Sequence, residues 1–280
     1  MKFLWIISAL LILWIILAKN CMTMREPDDI AEKKFATHGI KLITETINLN
    51  GHHLHYAKTG NDTMPTLFFI HGSPGSWDAF ERYLMDPDLL ARFRMVSIDR
   101  PGFGYSDFGN AEHLDRQSEL ISPIFKYLDN HKQCYIAGHS LGGPLVVKLV
   151  ADNSAIFSGA VIISGSIDPD EEKPEKWRPF IFKTPLNLLV PGALRPANEE
   201  LWYLKKDLVN LKTDFMKVTC PVYFVHGLFD TWVPPGNVDY GKKMLVNIRS
   251  ISVTFIDSAN HFIPWNKFDQ VKQVLLRMGR

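Results

Sequence analysis

The chain has 280 residues, 46% hydrophobic and 22% charged, with a formal net charge of +1. That length suits one large α/β domain or two small ones, and the composition is ordinary for a globular protein. The near-zero charge offers no basic field for nucleic acid and no acidic tail, and the sequence has no repeat or low-complexity tract.

Phe3–Ala18 is apolar throughout except for Ser8. As a helix it would extend about 24 Å, slightly short of a hydrocarbon core of about 30 Å. Lys2 and Lys19 flank it and can snorkel outward, while Trp5 and Trp14 suit the interfaces. A cleaved signal peptide would want small residues before the cut, and Ala18-Lys19-Asn20 offers one. A lipid-modified Cys21 is poorly served by Asn20. The favoured reading is a retained membrane anchor over residues 1–20. Residues 21–38, with Pro27-Asp28-Asp29 as a break, then read as a linker or short helix. Basic residues on both sides of the span leave the positive-inside rule undecided. An anchor ahead of an enzyme points to a catalytic domain outside the cytoplasm.

Next come strands over Lys41–Leu49 and His52–Lys58, joined by Asn50-Gly51, a strong hairpin signal. His53 and His55 share a face at period two. With no acidic or cysteine partner beside them, metal binding is not expected. Cys21, Cys134 and Cys220 give neither a disulfide framework nor a zinc pattern, and the last two read as buried structural thiols.

From Thr66 strands and helices alternate. Apolar runs at Thr66–Ile70, Met95–Ile98, Gln133–Ala137, Ala160–Ser164, Val222–His226 and Ser252–Ile256 read as buried strands. Helical spacing is predicted around Trp77–Leu84, Ala111–Leu128, Gly143–Val150, Asn237–Val246 and Trp265–Met278, the last opened by Pro264. This alternation implies a mostly parallel sheet with helices on both faces. From about residue 167 to 217 the rhythm breaks. The stretch holds six prolines from Pro169 to Pro196, and aromatics including Trp177, Phe180 and Trp202. So long an interruption reads as a cap over the active-site end of the sheet, its aromatics lining an apolar pocket.

The chemistry centres on Gly138-His139-Ser140-Leu141-Gly142, placed where a strand turns into a helix. That is the context a G-x-S-x-G nucleophile elbow requires. A serine hydroxyl needs a base, and the base needs an orienting carboxylate. Parallel sheets gather such residues past the carboxyl ends of later strands. Asp230 follows the Val222–His226 strand and His261 follows the Ser252–Ile256 strand. The order Ser140, Asp230, His261 therefore reads as a catalytic triad. The backbone N–H of Leu141, at a helix start, and that of Ser73, in His71-Gly72-Ser73-Pro74-Gly75, read as the oxyanion donors.

With these motifs, and with Asp99-Arg100-Pro101-Gly102-Phe103-Gly104-Tyr105-Ser106, the chain from about Gly39 onward resembles the α/β-hydrolase superfamily. The resemblance implies an α/β-hydrolase fold over residues 39–280: eight strands, mostly parallel, with a helical cap inserted after the sixth. In that strand order Cys134 and Cys220 lie two strands apart, about 10 Å, too far for a disulfide. Epoxide hydrolases and haloalkane dehalogenases of the superfamily carry aspartate at the elbow, where this chain has Ser140. Proline iminopeptidases typically have glycine where Ser73 stands, and the three-glycine loop of hormone-sensitive-type lipases is absent. The expectation is a serine hydrolase of the esterase or lipase kind. It would cleave a carboxylic ester in an apolar small-molecule substrate, with no cofactor and no metal. The same triad also serves amide, C–C bond and acyl-transfer chemistry, and a non-catalytic binding protein is the remaining alternative. The sequence assigns no oligomeric state.

Overall fold

The computed structural model describes residues 2–278. Eight strands form one sheet: β1 (Ile43–Leu49), β2 (His52–Thr59), β3 (Thr66–Ile70), β4 (Arg94–Ile98), β5 (Cys134–His139), β6 (Phe157–Ile163), β7 (Val222–Gly227) and β8 (Ile251–Ile256). Their order is β1-β2-β4-β3-β5-β6-β7-β8. β2 pairs antiparallel with both neighbours, and every pairing from β4 to β8 is parallel. Each predicted strand is present. Asn50 and Gly51 both take positive φ, as the β1–β2 turn demands.

All of β3 and β4 is buried, which is why Leu67–Ile70 reads as an unbroken apolar run, while in β4 the buried Ser97 hydroxyl is satisfied by the Trp77 carbonyl. Alternate residues feed different layers. Phe68, Ile70, Val96 and Ile136 enter one core, and Leu67, Phe69, Met95 and Ala137 the other. That is the period-two pleat of a sheet covered on both faces. β6 lies between β5 and β7, so Cys134 and Cys220 sit apart as free buried thiols.

Several helices differ from expectation. The helix predicted over Ala111–Leu128 is two, Leu114–Ile121 and Pro123–Tyr127, because Pro123 cannot continue the first. The last predicted helix is likewise split into Ile263–Asn266 and Phe268–Leu275. Residues 28–37 of the expected linker form a helix whose Ala31 and Phe35 are fully buried, Phe35 lying 6.3 Å from the Trp77 ring. That part of the segment is packed structure.

Between β6 and β7 the chain forms a short helix Arg178–Phe182, a 3₁₀ turn Pro185–Leu189 and an 18-residue helix Leu194–Leu211. The long helix is tied to the sheet domain. Asp207 accepts from His113 Nδ1 at 2.7 Å and from the Leu114 N–H at 3.2 Å, while Glu200 meets Arg100. The N-terminal helix Lys2–Asn20 exposes nearly all its side chains; only Ala18 is buried. It rests against the 3₁₀ turn, where Trp14 Nε1 donates to the Leu189 carbonyl.

Candidate active site

Ser140 stands immediately after β5 and before the helix Gly142–Asp152. Its φ is +55°, a conformation that a non-glycine residue adopts at a cost of about 1–3 kcal/mol. Packing enforces it. The Ser140 N–H donates to the Ile163 carbonyl at 3.0 Å, and its carbonyl accepts from the Gly143 N–H at 2.8 Å. The flanking glycines let the backbone close up. A Cβ on Gly138 would lie 2.3 Å from the Gly142 carbonyl oxygen, and one on Gly142 would lie 2.3 Å from that of Ile70. No side chain fits at either place.

Asp230 follows β7 and His261 follows β8. His261 Nδ1 lies 2.7 Å from Asp230 Oδ2, and both residues are buried. The other carboxylate oxygen accepts the N–H groups of Trp232 and Val233 at 3.0 and 2.8 Å. Burial raises the Asp230 pKa, but the His261 hydrogen bond leads the effects that outweigh it, so the carboxyl is held below its usual range. An ionised Asp230 can only accept. The proton of neutral His261 therefore sits on Nδ1, and Nε2 keeps a free lone pair.

Ser140 and His261 line the same two adjoining cavities, of about 550 and 560 Å³. The first has an apolar wall that includes Met24, Ala79, Trp232, Phe262 and Trp265. The second reaches under the β6–β7 segment to Glu172, Arg178, Leu201 and Leu204. Ser73 borders both and Leu141 borders the second. Neither backbone N–H has an acceptor among the described residues. The structure thus gathers Ser73, Ser140, Leu141 and His261 at one cavity, with Asp230 behind His261. The Ser73 hydroxyl is also buried without a partner among the described residues, a spare polar group beside the proposed oxyanion donor.

Other residues support the site in roles that the motifs containing His139 and Arg100 did not announce. His139 Nε2–H donates to the His261 carbonyl at 3.0 Å, and the Trp232 and His261 ring centroids are 5.6 Å apart. Burial, chiefly, lowers the His139 pKa to about 3, so it is neutral. Arg100 gives up all its side-chain donors in a buried pocket: Nε to the His71 carbonyl, one terminal nitrogen to Gly72 and Glu200, the other to Gln117 and Glu200. The histidines of β2 lie elsewhere. His52 Nδ1 donates to Asp107 at 2.8 Å and His55 is buried beside Tyr105. Asp107 is an acidic neighbour that the local sequence does not reveal. Among the described residues no group of three potential metal ligands occurs.

A family model described as the α/β hydrolase fold matches residues 65–189. Epoxide hydrolase 1 of Caenorhabditis elegans is 32% identical over 101 residues, covering 35% of this chain and 24% of that protein. Human monoglyceride lipase is 24% identical over 177 residues, covering 59% of this chain and 56% of the lipase. The matches thus span only about a quarter to a half of these curated relatives. A membrane phospholipase A, titled a bacterial virulence factor, superposes with a TM-score of 0.60 at 16% identity, covering 98% of this chain and 97% of its own. The sheet order, the matched family model and these likenesses agree that the chain has the α/β-hydrolase fold.

Proposed function

We propose that the protein is a serine hydrolase that cleaves a carboxylic ester, or a related acyl bond, through an acyl-enzyme on Ser140. The observation that carries the reading is the Asp230–His261 hydrogen bond behind a strained Ser140 on a shared cavity wall. Ser140 Oγ attacks the acyl carbon and passes its proton to His261 Nε2. The oxyanion forms beside the unpaired N–H groups of Ser73 and Leu141. His261 then protonates the departing alcohol, leaving the acyl group on Ser140. Water enters, loses a proton to His261 and attacks the ester. Collapse frees the carboxylic acid and returns the proton to Ser140. Asp230 holds the imidazole tautomer and stabilises the imidazolium throughout.

Several relatives are named epoxide hydrolases. The resemblance implies an aspartate at the elbow of such enzymes. A serine there supports acyl chemistry instead, as does the lipase named among the relatives. The apolar wall around Trp232, Phe262 and Trp265 suits an apolar acyl or alkyl group. A fluorophosphonate probe tests the nucleophile: the native chain labels and Ser140→Ala does not. Equal labelling of the two removes the assignment. A p-nitrophenyl ester series of increasing chain length then measures the acyl pocket.

A further inference from the structure

The N-terminal helix does not stand clear of the catalytic domain. Its second half lies along the β6–β7 segment. Gly192 N–H donates to the Ala18 carbonyl at 2.8 Å, Ala193 N–H to Met22 at 3.0 Å, and Trp14 Nε1 to Leu189 at 3.1 Å. An apolar groove of about 410 Å³ runs between the two, lined by Leu11, Ile15, Phe180, Pro185, Leu186 and Leu188. Two of these lining residues stay open to the surroundings, Phe180 65% and Leu188 47% exposed.

The axial position of these contacts has a consequence. Leu11 lies about 14 Å before the helix end at Asn20, near the middle of the apolar run. A spanning helix needs nearly the whole of Phe3–Ala18 inside the hydrocarbon, because that run is already slightly short of its thickness. Any protein packed against Leu11 and Ile15 is then at hydrocarbon depth too. Holding the β6–β7 segment clear in water would leave only the first half of the helix, about 12 Å, for the membrane, which cannot cross it. If the helix lay in the interface instead, Phe180 and Leu188 would meet the same lipid.

We propose that the helix Lys2–Asn20 and the segment Phe180–Leu189 form one lipid-embedded surface, so that the catalytic domain is seated in one leaflet rather than tethered above it. The occupant of the groove is a lipid acyl chain. Its lining is almost wholly aliphatic and aromatic, and the helix that forms one wall exposes apolar side chains on its remaining faces. Met24, four residues past the helix, lines the Ser140 cavity, which places that cavity close to the bilayer surface. The seating does not depend on the proposed chemistry, and its test needs no turnover.

The full-length chain is reconstituted in phosphatidylcholine–phosphatidylglycerol nanodiscs. A single cysteine at Leu188→Cys, on a Cys21→Ser background, carries an environment-sensitive dye; Cys134 and Cys220 are buried and do not compete. Tyr127→Cys, exposed and close to the opposite ends of the strands, is the control. Lipids brominated at mid-chain should lower emission about twofold or more at position 188 and leave 127 unchanged, as expected for a site at acyl depth. Leu186→Cys repeats the measurement if the first variant folds poorly. The proposal is overturned if aqueous iodide quenches position 188 as strongly as 127. It is equally overturned if 188 is shielded from both quenchers, which would mean a second copy of the chain covers it. Recovery from host membranes of a chain already lacking the helix overturns it as well.

Discussion

Glu200 holds Arg100 through two hydrogen bonds of 2.8 and 2.9 Å, with both side chains almost completely buried. The two residues are 100 positions apart, one on the loop after β4 and the other on the helix Leu194–Leu211. Arg100 also donates to the carbonyls of His71 at 3.0 Å and Gly72 at 2.9 Å. In a peptide unit the carbonyl of one residue and the N–H of the next are fixed relative to each other. Arresting the Gly72 carbonyl therefore sets the direction of the Ser73 N–H, the proposed oxyanion donor. The pair joins the β6–β7 segment to that loop.

Glu200→Gln keeps the shape and removes the charge. We expect about 3–5 kcal/mol of lost stability, because the Arg100 guanidinium stays buried with its counter-charge gone. We also expect a lower kcat for ester cleavage at nearly constant KM, by roughly tenfold. That is less than the 100-fold or more lost when an oxyanion donor is deleted. Chemical denaturation and steady-state kinetics measure the two effects. A variant that loses stability but keeps kcat would confine the pair to a structural role.

Asp230→Asn tests the orientation of His261. The amide can present its NH₂ to Nδ1, which favours the tautomer with the proton on Nε2, where the lone pair is needed. In the Ser-His-Asp template this substitution lowers kcat by about 10⁴ with little change of geometry. We expect a loss of that order in ester cleavage with binding largely kept. A fall of less than about tenfold would show that Asp230 does not set the tautomer.

Strands were legible because a two-sided parallel sheet writes itself as short apolar runs, and β3 is the clearest case. The residues after β5, β7 and β8 followed, since strand ends place them together. The long helix Leu194–Leu211 was not legible. Pro196 reads as a breaker, yet it sits in the first turn, where its missing N–H leaves no hydrogen bond unmade. Arg100–Glu200 and the packing of the N-terminal helix on the Pro185–Leu189 turn are tertiary pairings between distant segments. No local pattern marks either.

His139 offers a pH test of stability. Its pKa is lowered to about 3 chiefly by burial, while in the unfolded chain it returns to about 6.5. Above pH 6.5 it is neutral in both states and carries no penalty. As pH falls from there toward 3, the unfolded chain takes up a proton that the folded chain refuses, so stability is lost. His139→Gln removes that uptake. Relative to the variant, the native chain should lose about 1.4 kcal/mol per pH unit across this window. Other titrating groups cancel in the comparison, including Asp99, which burial raises to about 7 and which acts in the opposite sense. Parallel stability profiles for the two chains would refute the assignment.

Gly142 tests the elbow itself. An alanine Cβ there would lie 2.3 Å from the Ile70 carbonyl oxygen and 2.8 Å from that of His71. Both are backbone atoms at the end of β3, and the same backbone leads into the loop bearing Ser73. Relief requires the helix start to move away from that loop, which separates the Leu141 and Ser73 N–H groups. We expect Gly142→Ala to lose about 1–3 kcal/mol or more of stability, as overpacked sites do. Labelling of Ser140 by a fluorophosphonate should slow by a larger factor than the destabilisation alone explains. Gly236→Ala is the matched control: its Cβ would approach only Glu171 Oε1, at 3.0 Å, the end of a flexible side chain at a helix start. That variant should change stability by less than about 1 kcal/mol and leave labelling intact. Normal labelling of folded Gly142→Ala would mean that the close approach of helix and loop is not what builds the oxyanion site.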